Sequence, residues 1–380
     1  MNSGTIRTPY YYYDTTLLRK TLECINQEAG KYSNYHVHYA IKANANPKLL
    51  AEIQKAGLGV DCVSGGEIES ALKAGFEPGK IVFAGVGKSD WEIELGIDAG
   101  IRCFNVESIP ELEVINEIAS GRNTIAHVCF RVNPDIEAHT HANITTGKSE
   151  NKFGIAMSDL DNVLTVASAM KGIDVIGLHF HIGSQILKMD DYINLCLRVN
   201  ELQDRYEKKG ISFKIINVGG GLGIDYVNPE VNDMADFGSY FNVHNKYLKQ
   251  RQGQEIHFEL GRSVVGQCGR LITRVLYVKE NGSKKFVITD AGFTDLIRPA
   301  LYQALHKITN LSNSTGEETY DVVGPICEST DVFAHGIKLP VTKRNDILAI
   351  LSAGAYGESM ASSYNCRRLP AGYTSDEFGL

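Results

Sequence analysis

The chain has 380 residues, enough for two domains or for one large barrel with a smaller unit beside it. Apolar residues make up 43% and charged residues 22%, an ordinary soluble balance, and a net charge of −7 argues against a nucleic-acid-binding surface. No apolar run approaches the roughly 18–20 residues of a membrane span, and Met1–Thr8 lacks the apolar core of a secretory signal, so the expected location is the cytoplasm.

In chain order, Thr8–Asp14 (TPYYYYD) reads as a short aromatic strand, and Asp14 caps a helix from Thr15 to about Glu28. A repeating strand–turn–helix rhythm follows. The expected strands are His36–Ala43, Gly59–Ser64, Ile81–Gly85, Cys103–Glu107, Ala126–Asn133, Val175–Ile182, Lys214–Gly219 and Glu255–Leu260. Amphipathic helices fit between them, at Pro47–Ala56, Gly66–Ala74, Asp90–Ala99, Ile109–Ala119, Ser158–Met170, Tyr192–Lys208 and Asp236–Gln250. Eight strands alternating with helices predict a (β/α)8 barrel over residues 30–262. After Arg262 the long helices stop. Gly269–Lys279, Lys285–Asp290, Thr319–Val323 and Asp346–Leu351 are strand-like, so residues 263–380 read as a mainly β domain, joined by residues 1–29.

Eight cysteines are present, none paired at CxxC spacing, which argues against a thiolate zinc site; no metal is expected. Most lie in apolar surroundings such as Val128-Cys129-Phe130 and read as buried, reduced thiols.

In a barrel, ligands are held at the C-terminal ends of the strands. Polar residues gather there: Lys42 after strand one, Asp61 and Ser64-Gly65-Gly66-Glu67 at strand two, Arg131 and Asn133 at strand five. Strand six leads through His179 and His181 to Gly183-Ser184, strand seven into Gly219-Gly220-Gly221, and strand eight into Glu259-Leu260-Gly261-Arg262. Taken alone, Lys42 is either a solvated surface charge or an amine able to form an imine with a carbonyl. Glycines let backbone N–H groups approach a phosphate, and Ser184 and Arg262 can add donors to an anion. Amine and phosphate cradle together suggest pyridoxal 5′-phosphate. Glu259 is the candidate partner of its ring nitrogen. His181 is either a ring-stacking imidazole or a core histidine bonded to backbone.

These motifs resemble those of the fold-type III pyridoxal-phosphate-dependent decarboxylases, and within them the diaminopimelate decarboxylase family. The resemblance covers nearly the whole chain: TPYYYYD, YAIKAN around Lys42, DCVSGGEI from Asp61, HTHANITTGKSENKFGI from His139, and GLHFHIGSQ from Gly177. It continues through NVGGGLG from Asn217, ELGR from Glu259, DAGFTDLIRPALYQALH from Asp290, GPICESTD from Gly324 and AGAYGESMASSYN from Ala353. It implies a barrel with a β domain, and decarboxylation of meso-2,6-diaminopimelate to L-lysine. It implies Lys42 as the attachment point of the cofactor and His181 on its ring face, with Glu259 at the ring nitrogen. Ser184, Gly219, Gly220, Gly221, Gly261, Arg262 and Tyr356 would surround the phosphate or the adjoining substrate. Arg262, Arg298 and Tyr302 would bind the distal end of the substrate. It further implies a homodimer with shared active sites, in which Cys327 of the partner subunit is the proton donor and Glu328 of the partner subunit holds the distal ammonium.

The residues suit such a substrate. Its far end carries both an ammonium and a carboxylate, which call for an acid and a guanidinium. An ornithine-type substrate would need acids without the arginine. The alternatives are a decarboxylase of ornithine, arginine or carboxynorspermidine, or a non-catalytic regulatory relative. The latter should have lost Lys42 or the glycine run. Two departures from the family stand out: Leu260 replaces the usual proline, and the segment after Asn365 lacks the usual RPAEV-like ending.

Overall fold

The computed structural model describes residues 6–136 and 152–378. The chain forms two compact units. One holds Leu22–Gly223 and Asp236–Gly261; the other holds the segment ending at Thr21, Ile224–Ala235, and the chain from Arg262 onward.

The first unit is a closed barrel of eight parallel strands. They are Tyr35–Ala40, Gly59–Cys62, Ile81–Phe83, Cys103–Val106, Ala126–Asn133, Ile173–His179, Ile215–Gly220 and Glu255–Leu260, called strands one to eight below. Strand eight pairs with strand one from Ile256↔Tyr35 to Leu260↔Tyr39, which closes the ring. The (β/α)8 expectation is met. Parallel strands covered on both faces read as continuous apolar runs, because no face meets water. Val82, Cys103, Cys129, Ile176 and Ile215 form one buried cluster among them, each such side chain contributing about 1.5–3 kcal/mol if large and fully buried.

Strand one stops earlier than its sequence suggests. Ile41–Ala43 tighten into a single 3-10 turn, in which the Asn44 N–H bonds to the Ile41 carbonyl at 2.9 Å. Ile41 and Ala43 are buried by that turn, and Lys42 between them is not. The helices start where side chains satisfy free N–H groups. Asn46 accepts from the Lys48 N–H, and Ser108 from that of Glu111. Gly100, at φ 69°, ends the Asp90–Ala99 helix in the left-handed conformation that suits glycine.

The second unit is built on a mostly antiparallel sheet. Its path runs through Ile308–Asn310, Ile347–Ile350, Gly269–Asn281, Lys284–Thr289, Glu318–Val323 and Val332–Leu339. Strand Tyr10–Tyr13 joins it, antiparallel to Gly269–Ile272 and parallel to Ala371–Thr374. Three of these strands are not apparent in the sequence. Ile308–Asn310 and Ala371–Thr374 are very short, and Val332–Leu339 is interrupted by the exposed residues His335, Gly336 and Lys338. Among the described residues, no helix is long and apolar enough to cross a membrane.

Two predictions follow from these contacts. Tyr11 is fully buried, and its hydroxyl donates to the Asp295 carbonyl at 2.6 Å. Tyr11→Phe leaves that carbonyl without its donor and should lower stability by about 1–2 kcal/mol, read from the urea midpoint at unchanged m-value. The second concerns Glu67, whose carboxylate accepts the Val63 N–H at 2.8 Å at the start of the Gly65–Lys73 helix. Burial pushes its pKa up to about 7, against the pull of that hydrogen bond. The folded protein therefore binds more protons than the unfolded chain between about pH 4.5 and 7, and stability falls as pH rises through that window. Glu67→Gln should remove this fall, gaining about 1–3 kcal/mol relative to the parent at pH 8 compared with pH 5. Equal differences at the two pH values would contradict it.

Candidate active site

In the barrel unit, Lys42 leaves its turn with Nζ 3.1 Å from Asp61 Oδ2 at the end of strand two. Asp61 is wholly buried. Burial, and then the negative Glu259, push its pKa up to about 6 against the opposing charge of Lys42.

Glu259 on strand eight accepts three side-chain hydrogen bonds. Asn105 of strand four and Asn217 of strand seven donate to Oε1, at 3.2 and 2.7 Å. His179 of strand six donates through Nε2 to Oε2 at 3.1 Å. Burial alone would raise the pKa of Glu259, but the charge and hydrogen bond of His179, followed by Lys42 and His181, hold it well below the usual range. Three strands thus keep a carboxylate ionised inside the barrel.

Asn217 links this acid to the glycine run. Its amide nitrogen serves Glu259, while its oxygen accepts the Gly219 N–H at 2.9 Å. The run itself cannot carry side chains. A Cβ on Gly220 would stand 1.7 Å from the Glu259 carbonyl oxygen, and one on Gly219 would stand 2.2 Å from that of Phe180. The Ser184 loop is tied to the same place by the Ile186 N–H on the Gly221 carbonyl, 2.8 Å, and the Gly223 N–H on the Ile186 carbonyl, 2.9 Å. His181 accepts the Gly220 N–H on Nδ1 at 3.4 Å. Burial, and then the charges of Arg131 and Lys42, keep His181 well below its ordinary pKa and hence neutral. Gly261 is buried at the end of strand eight. The structure thus brings Lys42, His181, Ser184, Gly219–Gly221, Glu259 and Gly261 to the C-terminal ends of the strands.

The second unit holds a separate cluster. Arg262 and Arg298 are both buried and both donate to the hydroxyl of Tyr226, at 2.7 and 2.8 Å. Burial opposes ionisation of that phenol, but the two guanidinium charges win and lower its pKa. His306 donates from Nδ1 to the Leu351 carbonyl at 2.9 Å, which leaves Nε2 to accept from Arg298 at 3.1 Å. The Arg262 guanidinium lies over the Tyr356 ring, 4.9 Å from its centroid. Tyr302 ends the short helix that Arg298 begins. Among the described residues no carboxylate pairs with Arg298, so this buried cation is bonded to neutral groups. Cys327 and Glu328 are exposed in a loop of their own; the Cys327 N–H bonds to Asn365 Oδ1 at 3.4 Å, and Tyr364 donates to Glu328 at 2.8 Å.

Sequence reasoning gave no role to Asn105, Asn217, His179, Tyr226 or His306. The signal for the first three was a polar residue interrupting an apolar strand; nothing marked Tyr226, and His306 stood only as the last residue of the DAGFTDLIRPALYQALH motif. Residues 139–151 of the HTHANITTGKSENKFGI motif lie outside the described residues.

A carboxylate offers about four lone-pair sites, and Glu259 uses three, so one remains for a protonated ring nitrogen. With an amine at Lys42 and a side-chain-free cradle at Gly219–Gly221, the donor set fits pyridoxal phosphate.

Comparison with known proteins agrees. Residues 18–266 match the family described as pyridoxal-dependent decarboxylase, pyridoxal binding domain. Diaminopimelate decarboxylase of Bacteroides thetaiotaomicron is 65% identical over 373 residues, 98% of this chain and 97% of that protein. The Aquifex aeolicus enzyme of the same name is 40% identical over 96% of this chain and 85% of its own length. The crystal structure of Helicobacter pylori diaminopimelate decarboxylase complexed with L-lysine superposes with a TM-score of 0.92 at 38% identity, covering 98% of this chain and 92% of that one. The chain belongs to the diaminopimelate decarboxylase family of pyridoxal-phosphate-dependent decarboxylases.

Proposed function

We propose that this protein decarboxylates meso-2,6-diaminopimelate to L-lysine and carbon dioxide, the last step of lysine formation. The observation that carries the substrate assignment is Arg298, a buried guanidinium bonded to a phenol and an imidazole and paired with no described carboxylate. Such a cation is poised for an anionic group on a ligand. Diaminopimelate keeps a carboxylate at its distal end, whereas ornithine and arginine have none there. The 65% identity to the Bacteroides thetaiotaomicron enzyme supports the same reading.

Pyridoxal phosphate, when bound, supplies a ring that accepts the electron pair of the bond broken as carbon dioxide leaves. Lys42 would hold the cofactor through Nζ. Glu259 would keep the ring nitrogen protonated. His181, neutral, would support the ring. The N–H groups of Gly219–Gly221, with Ser184, Gly261, Arg262 and Tyr356, hold the phosphate or the nearby substrate. Arg262, Arg298 and Tyr302 take the distal carboxylate. Glu328 of the partner subunit binds the distal ammonium, and Cys327 of the partner subunit delivers the proton from Sγ to the α-carbon. This assigns a homodimer with shared active sites. We place it in the cytoplasm, a compartment that suits eight free cysteines.

The purified protein with pyridoxal phosphate and meso-diaminopimelate should release lysine and carbon dioxide. Lys42→Ala should lose the protein-bound cofactor absorbance and at least about 10³-fold of the rate. Product from ornithine or arginine, and none from diaminopimelate, would overturn the assignment. Mixed dimers of Lys42→Ala and Cys327→Ala chains should regain up to about a quarter of parental activity, since about half of mixed chains form heterodimers with one intact site. No recovery in demonstrated heterodimers would place Cys327 outside its partner's site.

A further inference from the structure

The N-terminal mouth of the barrel, the end away from the Lys42 and Glu259 strand ends, carries a groove of about 510 Å³ lined in part by His36, His38, Lys80, Arg102, Glu255 and His257. Two of its elements form the closing seam. Strand one brings His36, and strand eight brings Glu255 and His257, with His36 and His257 directly opposite in register. One donor atom from each of His36, Glu255 and His257 lies within 4.8 Å of the other two.

The hydrogen bonds here set a direction that neutral rings cannot complete. The Lys80 carbonyl only accepts, so a bond to it requires the His38 proton on Nδ1, 3.2 Å away. His38 Nε2 is then an acceptor, and His257 Nδ1, at 2.9 Å, must be the donor. That leaves the Nε2 lone pair of His257 facing Glu255 Oε2 at 3.0 Å, one acceptor against another. A cation between them removes the conflict. An added proton would do so by charging an imidazole in a place where His38 is 3% and His257 2% exposed, which burial disfavours, or by neutralising Glu255, which the Arg102 guanidinium on its Oε2 opposes. A metal ion needs the arrangement already present. The ring nitrogen is bare, the opposite nitrogen donates to a second histidine, and that histidine is fixed on a backbone carbonyl.

We propose that His36, Glu255 and His257 bind a divalent transition-metal ion across the barrel seam, with zinc as the ion that best suits two imidazoles and one carboxylate. Three donors about 2.0–2.2 Å from one ion stand roughly 3.3 Å apart, so the site forms by small turns of exposed His36 and of the Glu255 carboxylate. Arg102 holds Oε2 of Glu255 at 2.5 Å, which leaves Oε1 to reach the ion. The fourth position opens to the groove. The absence of cysteines at CxxC spacing has no bearing on it, because no thiolate takes part. Its role is to tie the first strand of the barrel to the last.

The test uses the holoenzyme, washed with chelator and titrated with zinc chloride alone, for the parent and for His36→Gln. His36 is exposed, so this change should leave folding intact. The parent should retain one more zinc per chain than the variant by elemental analysis after dialysis. Its Tm should rise by about 3–5 °C at saturating zinc, while that of His36→Gln stays fixed. Cobalt in place of zinc should give visible absorption bands in the parent alone. Decarboxylation should be the same in both proteins. Equal zinc content in parent and variant, or an equal Tm response, would overturn the proposal and leave a shared proton as the cation of the seam.

Discussion

The barrel depends on how it keeps one negative charge in its interior. Glu259 is buried, and an isolated buried carboxylate would take up a proton instead of staying ionised. Asn105, His179 and Asn217 prevent this with three hydrogen bonds from three strands. Each of those side chains must point inward at the same height as Glu259. A slip of one residue in any of these strands would turn its donor outward and leave the acid stranded. The registry of four strands is therefore bound up with the protonation state of one residue. In the function proposed above the same residue would face the cofactor's ring nitrogen, so fold and chemistry would share a single constraint.

The second unit treats buried charge in the opposite way. Arg298 has an imidazole and a phenol as partners but no described acid. A salt bridge placed there by the protein itself would satisfy the guanidinium and remove its reason to bind anything. Tyr226 and His306 instead hold it in position and leave its charge available. Glu259 is complete enough to be stable and has one lone pair to spare. Arg298 is oriented, and its charge is uncompensated by any described acid.

Much of this was legible in the sequence, for identifiable reasons. The eight barrel strands announce themselves because apolar runs between amphipathic helices have few other solutions. Strands five and eight have the very limits their sequences suggest. Lys42, Glu259 and the glycine run stand out because each breaks an apolar run at a strand end. Asn105 and Asn217 break such runs too, but their meaning lies in meeting the same carboxylate from strands four and seven, and no local pattern records that. Tyr226 and His306 are harder still, since a tyrosine and a histidine in irregular segments have many innocent uses. Strand one appeared to reach Ala43, because Ile41 and Ala43 are as apolar as the strand before them. They are buried by a turn, and apolar composition alone does not separate the two.

The aromatic strand at Tyr10–Tyr13 has a consequence for the order in which the molecule can be made. Tyr10 pairs with Ile272 on one side and with Ala371 on the other. Every strand of the barrel lies between Tyr13 and Gly269 in the chain. A ribosome therefore finishes the whole barrel before either neighbour of that first strand has been synthesised. Until then a row of four tyrosines, two of them destined for full burial, has no sheet to enter. Such exposed, β-prone segments are where nascent chains associate wrongly. The second unit thus has its earliest piece waiting on its last, a closure of very high contact order.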